Sequence, residues 1–426
     1  MLEISTIRFE KERVLEGLNK RFLPEAQIGL IETILLLDDE RKKSQTEGDI
    51  VLSEINKLSK EIGDLFKSGK QSKANELKDQ VAVLKDKSKI LEENNKRIQQ
   101  ELGDLIIQLP NVPHVSVPVG KHAEDNEVYK EWSGDLDILP SDALPHWEIA
   151  EKYGVFSLTD GVKLTGAGFP VFKGKGARLQ RALISYFLDE ASKAGYTEIV
   201  PPLVVNHDSA RATGQLPDKE AQMYYIERDD LYLIPTAEVP ITNLYRDMIV
   251  SAEELPIKLT GYTPCFRREA GSYGADVKGL NRVHQFDKIE IVQIQHPDKS
   301  YDSLMEMLNH VSHLLDSLGL PYRILRLCGG DMGFASALTY DFEVYSMAQK
   351  RWLEVSSVSN FETFQSNRMM LRYKDTNGKN KLAHTLNGSA LALARIVAAI
   401  LENFQTKDGV IVPEVLRKYT GFDIIN

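Results

Sequence analysis

The stretch PCFRREAGSYGAD, residues 264–276, closes a short apolar run with two arginines and a glutamate before a glycine-bearing loop. Charges placed at the end of a buried strand are either a solvated strand end or the floor of a site. Alternating apolar residues predict one strand over 259–269 and a second over 282–292, with AGSYGADVKGLN (270–281) as the long hairpin loop between them. Side chains alternate faces along a strand, so Arg267 and Glu269 share one face of the first. His284, Phe286, Lys288 and Glu290 share one face of the second. An arginine fork suits a phosphate, a flat ring suits a nucleobase, and a carboxylate can accept from an exocyclic amine. A salt-bridged strand pair over a core phenylalanine would give the same pattern.

Working outward, three further clusters have the same ambiguity. In LIPTAEVPITNLY (233–245), Thr236 and Glu238 stand one strand-step apart between Pro235 and Pro240. Such a pair can receive an ammonium group or cap a helix. In WLEVSSVSNFETFQSNR (352–368), Glu354 and the paired serines Ser356 and Ser357 offer hard oxygen ligands for Mg²⁺ beside phosphates, or an ordinary polar strand end. HTLNGSALALARIVAAILENFQ (384–405) reads as a Gly-Ser turn starting an alanine-rich helix near 389–404, with Arg395 on its first turns. That helix start could hold an anion or simply pack tightly. Upstream, GARLQRALISYFLDEASKAGY (176–196) has the helical apolar face Leu179, Leu183, Phe187 and Ala191, and TEIVPPLVV behind it is strand-like, broken by Pro201-Pro202. With further alternating runs at 340–347 and 352–357, the body reads as α+β: a mainly antiparallel sheet with helices packed on it.

The first hundred residues differ. Apolar residues recur at spacings of three and four through Leu30, Ile34, Leu37 and then Val51, Ile55, Leu58, Ile62 and Leu65. They do so again through Leu77, Val81, Leu84, Leu91, Ile98, Leu102 and Leu105, with Ser88 and Asn95 in the same register. That is a heptad seam. Ser68-Gly69 separates the runs, so an antiparallel coiled-coil hairpin is predicted. Pairing Leu65 with Leu77 sets the polar stretch 41–48 near Asn95, so the interrupted halves of both seams fall opposite each other. Around the tip, Lys57, Lys60, Lys67, Lys70 and Lys73 outnumber Glu61 and Asp64. Pro110, Pro113 and Pro118 in the polar segment 106–129 predict a linker and domain boundary.

Length and composition bound the rest. The 426 residues carry a net charge of −10, which disfavours non-specific nucleic-acid binding but leaves room for a local basic surface. No apolar run approaches the roughly 18 residues a membrane helix needs, and the N-terminus lacks the apolar stretch of a signal peptide. Cys265 and Cys328 stand alone in their segments, which fits a reducing cytoplasm and argues against a cysteine-rich zinc site.

Together and in this order, the segments resemble bacterial seryl-tRNA synthetases, class II aminoacyl-tRNA synthetases, over essentially the full length. GARLQRALISYFLDEASKAGYTEIVPP resembles motif 1 of that class, CFRREAGSYGADVKGLNRVHQFDKIE motif 2 in its seryl form, and HTLNGSALALAR motif 3. TAE, GDMGFASALTYDFEVY and EVSSVSN are similar to further family signatures. The resemblance implies a six- or seven-stranded antiparallel sheet flanked by helices and a homodimer formed through motif 1. It implies a tRNA-binding domain over 1–110 and a catalytic domain over 111–426. The implied reaction joins serine and ATP into seryl-adenylate and pyrophosphate, then moves serine to the 3′ end of its tRNA. Charging of a selenocysteine tRNA is left open.

The resemblance also implies residue roles. Arg267 would bridge the α-phosphate and the serine carboxylate, beside Arg268, and Glu269 would meet the adenine amine. Phe286 would stack on adenine next to Val283, His284 and Gln285. Arg395 would sit at the γ-phosphate. Glu354 and Ser357 would hold Mg²⁺ within an ATP-binding run that includes Val355 and Ser356. Thr236, Ala237 and Glu238 would receive the serine ammonium end, and Glu290 and Ser389 its hydroxyl. The loop 270–281 would move against ATP and then the tRNA acceptor end, and the hairpin would grip the long variable arm of serine tRNA across the dimer. Arg268, Gly329, Tyr345 and Val358 depart from residues frequent in the family. Two competing readings are an amino acid–carrier-protein ligase, which would lack the hairpin, and a coiled-coil interaction protein with an inactive synthetase-like body, which would lack the motif arginines.

Overall fold

The structure, a computed structural model, describes residues 1–136, 142–218, 221–269 and 278–426. Most of the predicted hairpin loop, residues 270–277, lies outside the described residues. The chain divides into two compact units, Met1–Pro110 and Asn111–Asn426.

In the first unit the heptad runs fold as two helices, α1 (Leu30–Lys67) and α2 (Gln71–Ile106). They join where Gly69 takes φ +74° and Lys70 N–H donates to Leu65 O at 3.0 Å. At 1.5 Å per residue, the 38 residues of α1 span about 57 Å. Val51, Ile55 and Val81 are buried together, with Leu58, Ile62, Leu84 and Leu91 packed against them, so the seam holds on both helices. Towards the hairpin base the seam differs from the expectation: Ile31 and Ile34 are fully buried, while Leu30 and Leu37 are half-buried. The next seam position is Asp38, nearly inaccessible, which accepts from Arg8, Arg41 and Lys42 at 2.8 Å each. Burial alone would raise this carboxyl, but hydrogen bonds from Lys42, Arg41 and Arg8 bring it down to about 2. The ion cluster ties the base of α1 to the N-terminal helix Ile4–Phe9.

The second unit is built on eight strands: β1 (Glu127–Lys130), β2 (Thr197–Glu198), β3 (Ile257–Phe266), β4 (Gln285–Gln295), β5 (Tyr322–Arg326), β6 (Leu338–Ser346), β7 (Arg351–Asn360) and β8 (His384–Ala392). Their order is β1-β5-β6-β7-β8-β4-β3-β2, antiparallel throughout except the β2–β3 edge pair. The count exceeds six or seven because the end of the proline segment supplies β1 and a two-residue strand completes the other edge. Helices α3 (Gly174–Lys193), α4 (Ser300–Leu318) and α5 (Leu393–Asn403) pack on the sheet. Leu179, Leu183, Phe187 and Ala191 of α3 are all fully buried. Each of the three larger side chains contributes about 1.5–3 kcal/mol by leaving water.

Two expectations are corrected. The segment around Pro113 and Pro118 is not a free linker. Asn111 Nδ2 donates to Ala335 O (2.9 Å) and Phe361 O (2.8 Å), His114 N–H donates to Ala337 O (2.8 Å), and Pro118 O accepts from Gly329 N–H (3.1 Å). Prolines end the helix, yet their neighbours satisfy the body's backbone. Residues 384–392 are strand β8, not a turn into a helix near 389, and α5 begins only at Leu393. Gly388 sits between Ile291 of β4 and Val358 of β7, where a Cβ would stand 3.1–3.2 Å from the Val358 methyls. The glycine thus allows a central strand to approach its neighbour; it does not make a turn.

Candidate active site

Phe286, Lys288 and Glu290 project from one face of β4 into a cleft of about 500 Å³, within the usual range for small-ligand sites. Onto the same cleft the fold brings Glu354 to Ser357 from β7, Ser389 from β8, Arg395 from the first turn of α5, and Thr236 and Glu238 from the segment before β3. Arg267, Glu269 and Val283 complete the lining expected from sequence. The four ambiguous clusters therefore converge.

Arg267 and Glu269 reach the cleft by a different route from strand alternation. β3 ends at Phe266: Arg267 N–H still bonds to His284 O opposite it (2.9 Å), and Arg268 N–H then leaves the ladder for Gln222 O (2.9 Å). Glu269 then takes φ +47°, a left-handed conformation rare for a non-glycine residue, and meets Arg282 at 3.4 Å. That ion pair clasps the two ends of the loop. His284 lies before β4, stacks on Phe169 at 5.4 Å and donates from Nδ1 to Arg267 O at 3.0 Å. It supports the Arg267 backbone from behind. His284, Gln285, Arg268 and Ala237 do not line the cleft: Gln285 and Arg268 are exposed, and Ala237 is fully buried.

One end of the cleft is cationic and aromatic. The Arg267 guanidinium lies 5.3 Å from the Phe286 ring centre, and its Nε donates to Pro235 O at 3.3 Å. Arg395 donates from Nε to Asn281 O at 2.8 Å and from Nη1 to Glu354 O, with the Glu354 carboxylate 4.0 Å away. Burial draws the Arg395 pKa below its ordinary value, though an arginine stays charged. The Glu354 side chain is half exposed, and Asp341 stands opposite Ser357 in the β6–β7 register. Asp341 Oδ1 is buried without a hydrogen-bond partner, and burial together with Glu354 pushes that carboxyl well above the usual range.

The other end is anionic and buried. Lys288 Nζ meets Glu290 Oε2 at 2.5 Å and donates to Thr236 Oγ1 at 2.8 Å, while the Thr236 hydroxyl donates to Glu290 at 3.2 Å. Glu238 accepts from Gln365 Nε2 at 2.6 Å. Burial, then the neighbouring Glu290, raises Glu238 to about 7, so it is poised to ionise when a cation arrives. Glu290 and Ser389 are direct cross-strand partners.

Sequence reading missed Gln215, Gln222, Asn281, Arg282 and Asn387 in the lining and gave Lys288 no role. Lys288 was visible in the 286/288/290 alternation. Asn387, two residues before Ser389 on the same strand, was hidden because 384–392 was read as a helix start. Among the described residues no group of three His, Cys, Asp or Glu side chains is placed to hold a metal.

Comparison with known proteins agrees with this geometry. Residues 1–113 match the seryl-tRNA synthetase N-terminal domain, and residues 224–404 match the tRNA synthetase class II core domain (G, H, P, S and T). The serine–tRNA ligase of Salinibacter ruber is 50% identical over 99% of this chain and 98% of its own length, and that of Chlorobium phaeobacteroides is 43% identical over the whole of both. The crystal structure of seryl-tRNA synthetase from Pyrococcus horikoshii complexed with ATP superposes with a TM-score of 0.92 at 34% identity, covering 100% of this chain and 99% of that one. The cytoplasmic serine–tRNA ligase of Naegleria fowleri in complex with AMP gives 0.88 at 27%, over the same shares. The convergence of the motif residues on one cleft, the helical hairpin and the full-length identity lead to one conclusion: the chain belongs to the seryl-tRNA synthetase family of class II aminoacyl-tRNA synthetases.

Proposed function

We propose a division of labour within the cleft by which this serine–tRNA ligase makes seryl-adenylate and then charges tRNA. ATP lies with its adenine on Phe286 and its exocyclic amine at Glu269. Arg267 binds the α-phosphate and the serine carboxylate, and Arg395 binds the γ-phosphate. The serine ammonium lies at Thr236 and Glu238, and its hydroxyl at Glu290 and Ser389. The carboxylate is ionised at neutral pH, so the first step needs no general base. It needs two anions held in line and their charge offset. A carboxylate oxygen bonds to the α-phosphorus as the bond to the bridging oxygen breaks, releasing pyrophosphate. The 3′-terminal hydroxyl of tRNA then attacks the carbonyl carbon, and AMP leaves.

One observation carries this reading. A paired-arginine end bearing an aromatic face and a buried carboxylate end lie in a single cleft, which suits a nucleotide triphosphate beside a small zwitterion. Hard oxygens at Glu354 and Ser357, with the unpartnered Asp341 Oδ1 nearby, fit Mg²⁺. When bound, Mg²⁺ would offset charge on the phosphate oxygens. The test is ATP–pyrophosphate exchange with each of the twenty amino acids: serine alone should support it, and exchange without serine dependence would refute the assignment.

The first unit is the tRNA grip in this proposal. Lys57, Lys60, Lys67, Lys70 and Lys73 are all exposed on the hairpin and can lie along the phosphates of the variable arm without reading bases. The second unit, 111–426, carries catalysis. Edge strand β2 pairs only with β3 among the described residues, and Val200 beside it is 88% exposed, which supports a homodimer through this edge. No described helix is long and apolar enough to cross a membrane. The buried, free Cys265 and Cys328 support a reducing, cytoplasmic setting.

A further inference from the structure

Behind the phosphate end of the cleft lies a buried polar network that none of the motif assignments uses. His146 and Glu402 are both fully inaccessible. His146 Nδ1 lies 2.6 Å from Glu402 Oε1, and the His146 backbone N–H donates to the same oxygen at 2.9 Å. The other ring nitrogen, Nε2, accepts from Leu280 N–H at 2.8 Å. Accepting at Nε2 requires that position to be unprotonated, so Nδ1 carries the hydrogen donated to Glu402. Glu402 also accepts from Ser346 and, at 2.9 Å, from Gln349 Nε2. Burial would raise this carboxyl, but hydrogen bonds led by His146 hold it below its ordinary value. Gln349 in turn accepts from Asn281 Nδ2 at 2.9 Å.

These contacts converge on the strand-ward end of the loop between β3 and β4. Lys278 Nζ stands 4.4 Å from the Trp147 ring centre. Gly279 takes φ +65° and passes so close that a Cβ there would be 2.1 Å from His146 Nε2. Leu280 is held by His146, and Asn281 by Gln349. The Asn281 carbonyl then accepts Nε of Arg395. Arg395 and Glu402 are seven residues apart on α5, two turns along one face of the helix. The loop end is thus laid along α5, with His146–Glu402 at one end and the Arg395 guanidinium at the other.

We propose that His146 is a positioning residue for adenylate formation: through Glu402 and Leu280 it fixes residues 278–281, and so sets the Arg395 guanidinium for the γ-phosphate of ATP. The proposal rests on the assignment of the ATP phosphates to Arg395. A purely structural pair would stabilise α5 without favouring either substrate. A positioning pair acts on ATP and leaves serine, assigned to Glu290 and Glu238, unaffected.

The test uses the full-length enzyme, with KM and kcat for ATP and serine measured by pyrophosphate exchange beside thermal melts. His146→Phe keeps a ring against Trp147 and Phe156 but removes both hydrogen bonds. It should raise KM for ATP by about tenfold to a hundredfold and lower kcat, with KM for serine within twofold, since each of the two lost buried bonds is worth up to about a factor of ten. His146→Gln, which can still accept from Leu280 N–H, should recover most of the ATP affinity. Gly279→Ala should reproduce the His146→Phe profile from the opposite partner. Asn403→Ala is the structural control: it removes two bonds that tie α5 to Tyr345 O and Met347 N–H. It should lower the melting temperature without shifting KM for ATP. If His146→Phe changes the melt alone, as Asn403→Ala should, or changes both KM values equally, the proposal is overturned. If instead Arg395→Ala leaves KM for ATP unchanged, the phosphate assignment itself has failed, a distinguishable result.

Discussion

Replacing Glu290 probes the serine end most directly, and the structure says which replacement is informative. The Glu290 carboxylate is 1% exposed and its Lys288 partner 7%, with 2.5 Å between them. Removing one member of such a buried pair costs about 3–5 kcal/mol, because the other charge is left uncompensated. Glu290→Ala would therefore mix a folding defect with any loss of serine recognition. Glu290→Gln also takes the counter-charge from Lys288, but it keeps the volume and one acceptor for Lys288 or Thr236, and at the serine hydroxyl it converts a charge-assisted bond into a neutral one. The difference between those bonds is about 1–2 kcal/mol, or about 5- to 30-fold in kcat/KM at 1.36 kcal/mol per tenfold. Pyrophosphate exchange with serine and ATP varied separately should show that drop for serine, with KM for ATP within twofold. Glu290→Ala should lose more and also melt at a lower temperature. If Glu290→Gln keeps parental kcat/KM for serine, or loses serine and ATP affinity equally with an unchanged melt, Glu290 does not read the hydroxyl.

Arg267→Lys should lose about two orders of magnitude in adenylate formation, because an ammonium cannot present a planar fork to phosphate and carboxylate together; near-parental exchange would show the fork is not used. Glu238, raised to about 7 by burial and Glu290, must be ionised to receive an ammonium. KM for serine should therefore rise by up to tenfold per unit as pH falls below about 7 and level off above it, and Glu238→Gln should flatten the profile. Because its folded pKa lies above the unfolded value, the empty enzyme loses Glu238's contribution as pH rises towards 7, so serine should raise the melting temperature more at pH 8 than at pH 6. Replacing residues 48–91 with a short turn spares the Asp38 cluster. It should leave serine-dependent exchange intact while tRNA charging collapses and its salt sensitivity weakens; undiminished charging would remove the hairpin from tRNA binding.

Legibility in the sequence followed local periodicity. The coiled-coil seam, the buried face of α3 and the 286/288/290 face of β4 each repeat with the period of one element, and each stands where the pattern placed it except at the hairpin base, where Ile31 takes the buried place expected of Leu30. β8 was misread because a strand flanked by β4 and β7 is buried on both faces and loses the alternation that marks strands. Its Ala-Leu run then passes for helix. The turn at Glu269 and the wedge of His284 behind Arg267 depend on contacts with Gln222, Gly168 and Phe169. Those residues lie far away in sequence, and no local pattern encodes them. The same holds for His146, whose partner Glu402 is 256 residues distant. Residues proposed to touch substrate stand in the motifs, whereas residues that hold them in place are chosen by the tertiary fold.

The four departures from residues frequent in the family test whether this chemistry survives in this chain. Val358 is fully buried and faces Gly388 across the β7–β8 ladder, where its methyls fill the space the glycine leaves. Tyr345 pairs edge-on with Trp352 across β6 and β7 at 5.0 Å, two register positions from the Glu343–Glu354 pair. Gly329 hydrogen-bonds through its backbone to Pro118, and it is the adjacent Gly330 whose Cβ would strike Lys121 O at 2.6 Å. Arg268 is exposed and tied by its backbone, not its guanidinium, to Gln222. None of the four lines the cleft. Each substitutes within packing or at the surface, so the charges that line the cleft are those the motifs supply. An exposed guanidinium one residue from Arg267 acts on the phosphates only through solvent, where salt screens it over about 10 Å.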